Sequence, residues 1–258
     1  MTRISPEISL SITHAAEVIK KSHRTVCLTG AGVSTPSGIP DFRSPLTGLW
    51  TRFEPMEVAS LSAFRHQPER FYQWLHPLAI KMFEAVPNAA HLALAMLQNA
   101  GFISVIITQN IDSLHTRAGS SNVLEVHGSL ETMTCTNCYH QYQSAQFING
   151  YIDHCQIPYC PTCRSILKPD IILYEEQMPV QTWLKAEDAC KKCDLVIVAG
   201  SSLEVMPSAR LPIEALDHGA HLIILNNSET FLDERAEVNI HGDVAEVLPG
   251  IAEEVLNA

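Results

Sequence analysis

Apolar positions along the chain follow two spacings. Ile12, Ala15, Ala16 and Ile19 recur at intervals of three and four, which predicts an amphipathic first helix. Val244, Val247, Leu248, Ile251, Ala252 and Val255 keep the same period near the other end. Between them lie short continuous apolar runs at Thr25–Thr29 and at residues 103–107, 123–126, 194–199 and 221–226. Runs of that length read as buried strands. The segment 207–216 has helical character. Strands separated by helix-length segments predict an α/β chain with a doubly wound parallel sheet.

Two stretches break this rhythm. Residues 43–85 are rich in Phe, Trp, Pro and Met without strand alternation and predict helices and loops. Residues 130–167 hold five of the eight cysteines. The expected division is a large domain from 1–42, 86–129 and 168–258, and a smaller one from the insertions 43–85 and 130–167.

Composition narrows the function. A chain of 258 residues is long enough to bury a core without disulfide staples. Its net charge of −11 disfavours a nucleic-acid partner, which calls for a basic face. The cysteine-rich stretch 134–163 contains neither Lys nor Arg. No apolar run approaches the ~20 residues of a membrane span, and the first residues lack the pattern of a secretory signal. The expectation is a cytoplasmic protein without a membrane partner, whose paired cysteines hold metal.

The candidate chemistry sits in turns. Gly30-Ala31-Gly32 follows the first apolar run, as glycines do where a backbone approaches a pyrophosphate, although Thr35 takes the place of a third glycine. A helix is expected to follow and offer its N–H groups to the anion. In Asp41-Phe42-Arg43, the ring could shield a reactive carbon and the guanidinium could pair with phosphate. Gln109, Asn110 and Asp112 follow another strand, with His115 close behind, and one of these polar residues could instead cap a helix. His127 ends a further strand, where an imidazole titrating near neutrality suits a general base. Gly200-Ser201-Ser202 and Asn226-Asn227-Ser228 are small polar turns after two more strands.

Cys135, Cys138, Cys160 and Cys163 form two CxxC pairs separated by 21 residues, the pattern of a closed four-thiolate zinc site with a folding role. Cys155 breaks the spacing and is left out. Cys190 and Cys193 form a third pair without a partner pair, and Cys27 reads as a core residue.

In their order along the chain these motifs resemble the sirtuin family of NAD-dependent protein-lysine deacylases. The matching residues run from Gly30-Ala31-Gly32-Val33-Ser34 and Gly38-Ile39-Pro40-Asp41-Phe42-Arg43, through Thr108-Gln109-Asn110-Ile111-Asp112 and His127-Gly128, to the four cysteines, Lys168-Pro169-Asp170 and Gly200-Ser201-Ser202-Leu203. The resemblance covers about residues 10 to 255. It implies a Rossmann-like large domain, a small domain with a helical and a zinc-ribbon module, and NAD and acyl-lysine meeting between them. Ala31, Thr35, Phe42 and Arg43, with Gly30, Gly32 and Asp41, would contact NAD in the first loop. Gln109, Asn110 and Asp112 would line the ribose and nicotinamide pocket, Asn110 with a catalytic part. Gly200, Ser201, Ser202, Asn226, Asn227, Ser228 and Val244 would hold the adenosine half. His127 would be the base that takes a proton from the ribose hydroxyls, so that the acyl group passes to ADP-ribose and nicotinamide is released.

Ile172, Leu173, Tyr174 and Glu175 would pair with the substrate backbone. Here the chain departs from the family, because Glu175 stands where glycine is usual. Its side chain is expected to crowd the peptide or favour basic flanking residues. Members that take acidic acyl chains resemble one another in a Tyr-x-x-Arg pair. Tyr72 is followed by Leu75, so neutral acyl groups are expected, acetyl first, with longer fatty chains left open. Two alternatives stand beside this reading, an ADP-ribosyltransferase on the same scaffold and a non-enzymatic zinc- or NAD-binding module.

Overall fold

The computed structural model describes residues 5–44 and 48–257. Residues 1–4, 45–47 and 258 lie outside the described residues. They include the start of the stretch read for a signal and part of the 43–85 insertion, but no candidate site residue.

The chain begins with α1 (Pro6–Lys21), β1 (Thr25–Thr29), α2 (Pro55–Val58), α3 (Leu61–His66), α4 (Pro68–Glu84) and α5 (Ala89–Asn99). Then come β2 (Val105–Thr108), α6 (Leu114–Arg117), β3 (Val123–Glu125), β4 (Gly128–Cys135), β5 (Gln141–Gln143), α7 (Ile148–His154) and β6 (Leu167–Ile171). The last part holds α8 (Val180–Lys192), β7 (Leu195–Ala199), α9 (Leu211–Asp217), β8 (His221–Asn226), β9 (Val238–His241) and α10 (Val244–Leu256). Among the described residues no helix is long and apolar enough to cross a membrane.

Local chemistry sets the first helix. The Ser5 side chain accepts from Ile8 N, Pro6 occupies the first turn, and Lys20 and Lys21 lie in the last turn. Its buried face carries Ile12, Ala15, Ala16 and Ile19, as their spacing predicts.

Six strands form one parallel sheet in the order β3-β2-β1-β7-β8-β9. Every residue of β1 and β7 is buried, which explains their unbroken apolar runs. Alternate side chains face opposite layers. Cys27, Ile106, Ile197 and Ile223 pack with residues of α1, α5 and α10. Val26, Leu28, Val196 and Ile224 pack with residues of α8 and α9. Boundaries shift by a residue or two from expectation, as where the run at 103–107 forms β2 at Val105–Thr108, and 207–216 divides into a 3₁₀ turn at Ser208–Arg210 followed by α9. The edge strand β9 has no counterpart in the apolar runs, because it alternates buried Val238 and Ile240 with Asn239 and His241.

The insertions build a second body against the first. β4 pairs antiparallel with β5 and β6, giving the order β5-β4-β6. Phe71, Tyr72 and Leu75 of α4 share a core with Tyr151 of α7 and with Ile171 and Leu173. The Tyr151 hydroxyl donates to Tyr72 O at 2.6 Å, so the helical and cysteine-rich insertions are joined by a buried hydrogen bond.

Candidate active site

The C-terminal ends of β1, β2, β7 and β8 open onto a cleft of about 840 Å³, closed opposite by residues 171–178 and by Trp50 and Trp74. Ligands of doubly wound sheets bind at this end of the strands.

The glycine turn is built for close approach between two loops. Gly32 N donates to Gly200 O at 2.9 Å, and Gly30 N donates to Ala199 O at 3.1 Å. A Cβ on Gly30 would lie 2.7 Å from Gly200 O, and one on Gly200, whose φ is +59°, would run into Val33 N. No α-helix follows. Two 3₁₀ turns, Ala31–Val33 and Thr35–Ser37, take its place, because Pro36 lacks an N–H and Gly38 ends the turn at φ +88°. The expected helix N-terminus is therefore replaced by short turns, and Thr35 Oγ1 donates back to Gly32 O at 3.1 Å. Gly200→Ala is expected to cost about 2–4 kcal/mol, combining left-handed strain with a backbone clash. Gly38→Ala has open space around it and should cost only about 1 kcal/mol. Thermal unfolding of the two variants checks this, and equal Tm losses would contradict the clash.

Asp41 organises the next turn rather than reaching across the cleft. Its Oδ1 accepts from Arg43 N at 3.0 Å and Ser44 N at 2.7 Å, and its Oδ2 accepts from Ser44 Oγ at 2.6 Å. This holds Phe42 and Arg43 at the rim. The Phe42 ring lies 5.1 Å from Trp50, and Trp50 stacks on Trp74 at 6.0 Å, giving the cleft an aromatic wall.

The residues after β2 knit the floor together. Gln109 Nε2 donates to Ser201 Oγ at 3.0 Å, and Ser208 Oγ donates to Gln109 Oε1 at 3.2 Å. Asn110 Nδ2 donates to Gly30 O and to Ser34 Oγ. Ser34 Oγ donates in turn to Asp112 Oδ2 at 2.6 Å. Capping also claims a share, since Asp112 Oδ1 accepts from Leu114 N at 2.9 Å. His115 does not reach the cleft: it is buried with His91, their rings 4.8 Å apart, and its Nε2 meets Thr29 Oγ1 at 2.9 Å.

His127 lies in the cleft just before β4. Its Nδ1 is 2.9 Å from Gln109 O. A carbonyl only accepts, so Nδ1 carries the proton and the neutral ring presents an unprotonated Nε2. Burial pushes its pKa below the ordinary 6.5. The Gln109 hydrogen bond opposes that shift and the Arg43 charge adds to it. Gly128 follows at φ +75°, where a Cβ would strike Asp170 O.

Residues 172–175 form the opposite wall. Ile172 N donates to His127 O, Leu173 N to the Glu176 carboxylate, and Tyr174 N to Ala59 O. Lys168 Nζ pairs with Glu176 at 2.9 Å and steadies this bend. Glu175 borders the cleft with φ +73°, but its carboxylate accepts from Ser62 N at 2.9 Å in the first turn of α3. That hydrogen bond, with Arg65 nearby, holds the carboxyl below its usual range. The side chain is thereby turned onto α3 while it still borders the cleft.

Gly200, Ser201, Ser202, Asn226, Asn227 and Ser228 all line the cleft. Val244 does not: it sits in the first turn of α10 with its side chain in the core. Tyr72 and Leu75 are likewise buried in the core, and α4 presents Trp74 and Met82 to the cleft instead. Trp50, Trp74 and Glu204 also line the cleft without a motif to mark them, and Ser34 lines it from within the glycine motif.

The Sγ atoms of Cys135, Cys138, Cys160 and Cys163 lie within 4.8 Å of one another. The pairs Cys135–Cys163 and Cys138–Cys160 are 3.4 and 3.6 Å apart. Tetrahedral Zn–S bonds of about 2.3 Å put thiolates about 3.8 Å apart, so the donor set fits zinc. Asn137 N and Cys138 N both point at Cys135 Sγ. Hydrogen bonds from Ser165 draw the Cys163 thiol down to about 5, toward the thiolate a metal requires. Cys155 lies exposed at the end of α7, outside the cluster. Burial raises the thiol of Cys27 to about 12 and that of Cys193 to about 11, and pushes Cys190 up as well, which makes them inert.

Comparison with known proteins follows the same lines. A model of the Sir2 family matches residues 30–207. The NAD-dependent protein deacylase 2 of Archaeoglobus fulgidus is 44% identical over 245 residues, covering 95% of this chain and 96% of that protein. A Sir2 structure with a deacetylated p53 peptide and 3′-O-acetyl ADP-ribose is similar with a TM-score of 0.89 at 37% identity, covering 94% of this chain and 98% of that one. The structure of Sir2Af2 bound to a myristoylated histone peptide is similar with a TM-score of 0.82 at 39% identity, covering 96% and 97% of the two chains.

Proposed function

The chain belongs to the Sir2 family, and on that premise we propose that it is an NAD-dependent protein deacylase that passes the acyl group of a modified lysine to ADP-ribose and releases nicotinamide. The observation that carries the reading is His127. Its Nδ1 is tied to Gln109 O, which leaves Nε2 as a base inside a cleft walled by the glycine turn and residues 171–178.

Bound NAD would supply a ribose carbon that gives up nicotinamide and hydroxyls that receive the acyl group. The chain's own residues do the rest. His127 Nε2 takes a hydroxyl proton. Gln109, Asn110 and Asp112, already locked by hydrogen bonds to Ser201, Gly30 and Ser34, present a rigid polar floor that needs no reordering. Gly30, Ala31, Gly32 and Thr35 form the turn the dinucleotide lies against, and Gly200, Ser201, Ser202, Asn226, Asn227 and Ser228 hold its far half. Phe42 and the two tryptophans keep water from the reacting carbon. The N–H groups of residues 172–174 are already donated within the protein, so a peptide would meet this wall by donating its own N–H groups to the wall's carbonyl oxygens.

Acetyl is the first choice of acyl group, and neutral chains in general are favoured. Among the described residues lining the cleft, Arg43 is the only lysine or arginine, while Ile39, Trp50, Trp74 and Met82 are apolar. Longer chains have that apolar wall to lie against. The four cysteines hold one structural zinc, supported by their spacing and donor chemistry. The two-domain division is supported by the separate sheets, although the core of the insertions also takes in Ile39, Leu114, Ile171 and Leu173, and β6 carries the smaller body on to Ile171. A cytoplasmic setting, where thiols stay reduced, suits a four-thiolate metal site.

The test is incubation with NAD and an acetyl-lysine peptide, alongside a panel of acyl chains, following peptide mass and nicotinamide. Acyl loss that needs NAD is expected. Nicotinamide release with every peptide intact would replace this reading with ADP-ribosyl transfer. The pH profile gives a second check. A base whose pKa is lowered by burial titrates below 6.5, so the acid limb of kcat/KM should have its midpoint below that pH. An acid limb centred at or above 6.5 would contradict a buried base.

A further inference from the structure

Glu204 stands in the loop after β7, at the rim of the cleft. Its Oε2 lies 3.3 Å from Arg43 Nε. On its other side Arg43 donates from Nη2 to the Tyr174 hydroxyl at 3.3 Å. One guanidinium thus links the loop after β7 to the wall at 172–175. Glu204 is not among the residues the glycine motif or the polar turns single out, and no helix cap or core contact accounts for its position.

A guanidinium recognises carboxylate and phosphate with the same planar fork of N–H donors. The edge of Arg43 that meets Glu204 cannot also serve a phosphate oxygen. We propose that Glu204 is a built-in competitor for Arg43: it holds the arginine in the open cleft and is displaced when the pyrophosphate of a dinucleotide takes its place. This rests on the reading of the cleft as an NAD site. Binding then exchanges one charge-assisted pair for another, and the affinity is lowered by whatever the first pair was worth. The side chains of Arg43 and Glu204 are 31% and 61% exposed, so the pair is partly screened and its effect is modest. The role of Glu204 is to tune dinucleotide affinity, with no part in proton transfer.

The test uses ADP-ribose, which binds without reacting, titrated calorimetrically into the wild type, Glu204→Gln, Arg43→Gln and the double variant. Glu204→Gln should tighten binding about two- to fivefold in low salt, the range of a partly exposed ion pair. The gain should shrink as salt rises from about 50 mM to about 500 mM. In the Arg43→Gln background the same substitution should change Kd by less than about twofold. Unchanged or weaker binding by Glu204→Gln would overturn the proposal. So would equal tightening in both backgrounds, since that outcome is plain repulsion between Glu204 and phosphate. Failure of the folded wild type to bind ADP-ribose would overturn the NAD reading itself, and this proposal with it.

Discussion

His127→Ala is expected to lower deacylation by about 10²–10⁴-fold while leaving ADP-ribose binding nearly unchanged. The separation follows from where the ring is held. Its proton-bearing Nδ1 faces a backbone carbonyl and its open Nε2 faces the cleft. The glycine turn and the loops after β7 and β8 are shaped by other contacts. Removing the imidazole therefore removes a proton acceptor without loosening the walls. His127→Asn keeps a group able to donate to Gln109 O but supplies no base, and should be as inactive as the alanine variant. Single-turnover kinetics with an acetyl peptide and calorimetry with ADP-ribose separate the two effects. A variant that keeps more than about a tenth of the wild-type rate would shift the role of base elsewhere.

Loss of the zinc should be the most damaging change to the fold. Cys163→Ser, or exhaustive chelation, is expected to take metal content from about one atom per chain to none. It should lower Tm by roughly 10 °C or more. The four sulfurs, gathered within 4.8 Å of one another, lose the bonds that hold them together once the cation is gone, and the core beside them is small, chiefly Met133 and Leu167, with Tyr151 alone sealed against α4. Activity should fall as well, although no cysteine enters the cleft. β4 starts beside His127 and ends at Cys135, and its partner β6 leads into residues 172–175. Disorder at the cysteines thus runs along two strands into both the base and the substrate wall. Metal analysis with thermal unfolding provides the check. A metal-free protein with unchanged Tm would show that this segment holds itself together.

Much of the site was legible in the sequence because its residues occur in runs. The polar turns after β1, β2, β7 and β8 each follow an apolar strand, and that order alone puts them at one edge of a parallel sheet. The cysteine cluster was legible from spacing, since two residues between thiolates suit one tetrahedral ion. Features set by tertiary contact were not legible. Trp74 and Tyr72 sit two residues apart on α4, yet one faces the cleft and the other is sealed in the core. Glu175 reads as an intruder until α3 supplies Ser62 N for its carboxylate. Resemblance alone places Val244 at the adenosine, and only the structure shows that its side chain packs in the core. β9 went unseen because an edge strand covered on one face needs only two apolar residues.

The order of the large sheet bears on how the chain reaches this state. β1 lies between β2 and β7, pairing Thr25 with Leu195 and Val26 with both Val105 and Val196. Both insertions fall between the two halves of that seam. The central pairing must therefore wait for the ends of a very long loop to meet, the kind of closure that slows folding. A cysteine-rich segment that has already gathered around its ion shortens the loop, and the shared core with α4 shortens it further. Because closure cost rises only slowly with loop length, metal would change the speed at which new chains mature only slightly, and the durability of those already made far more.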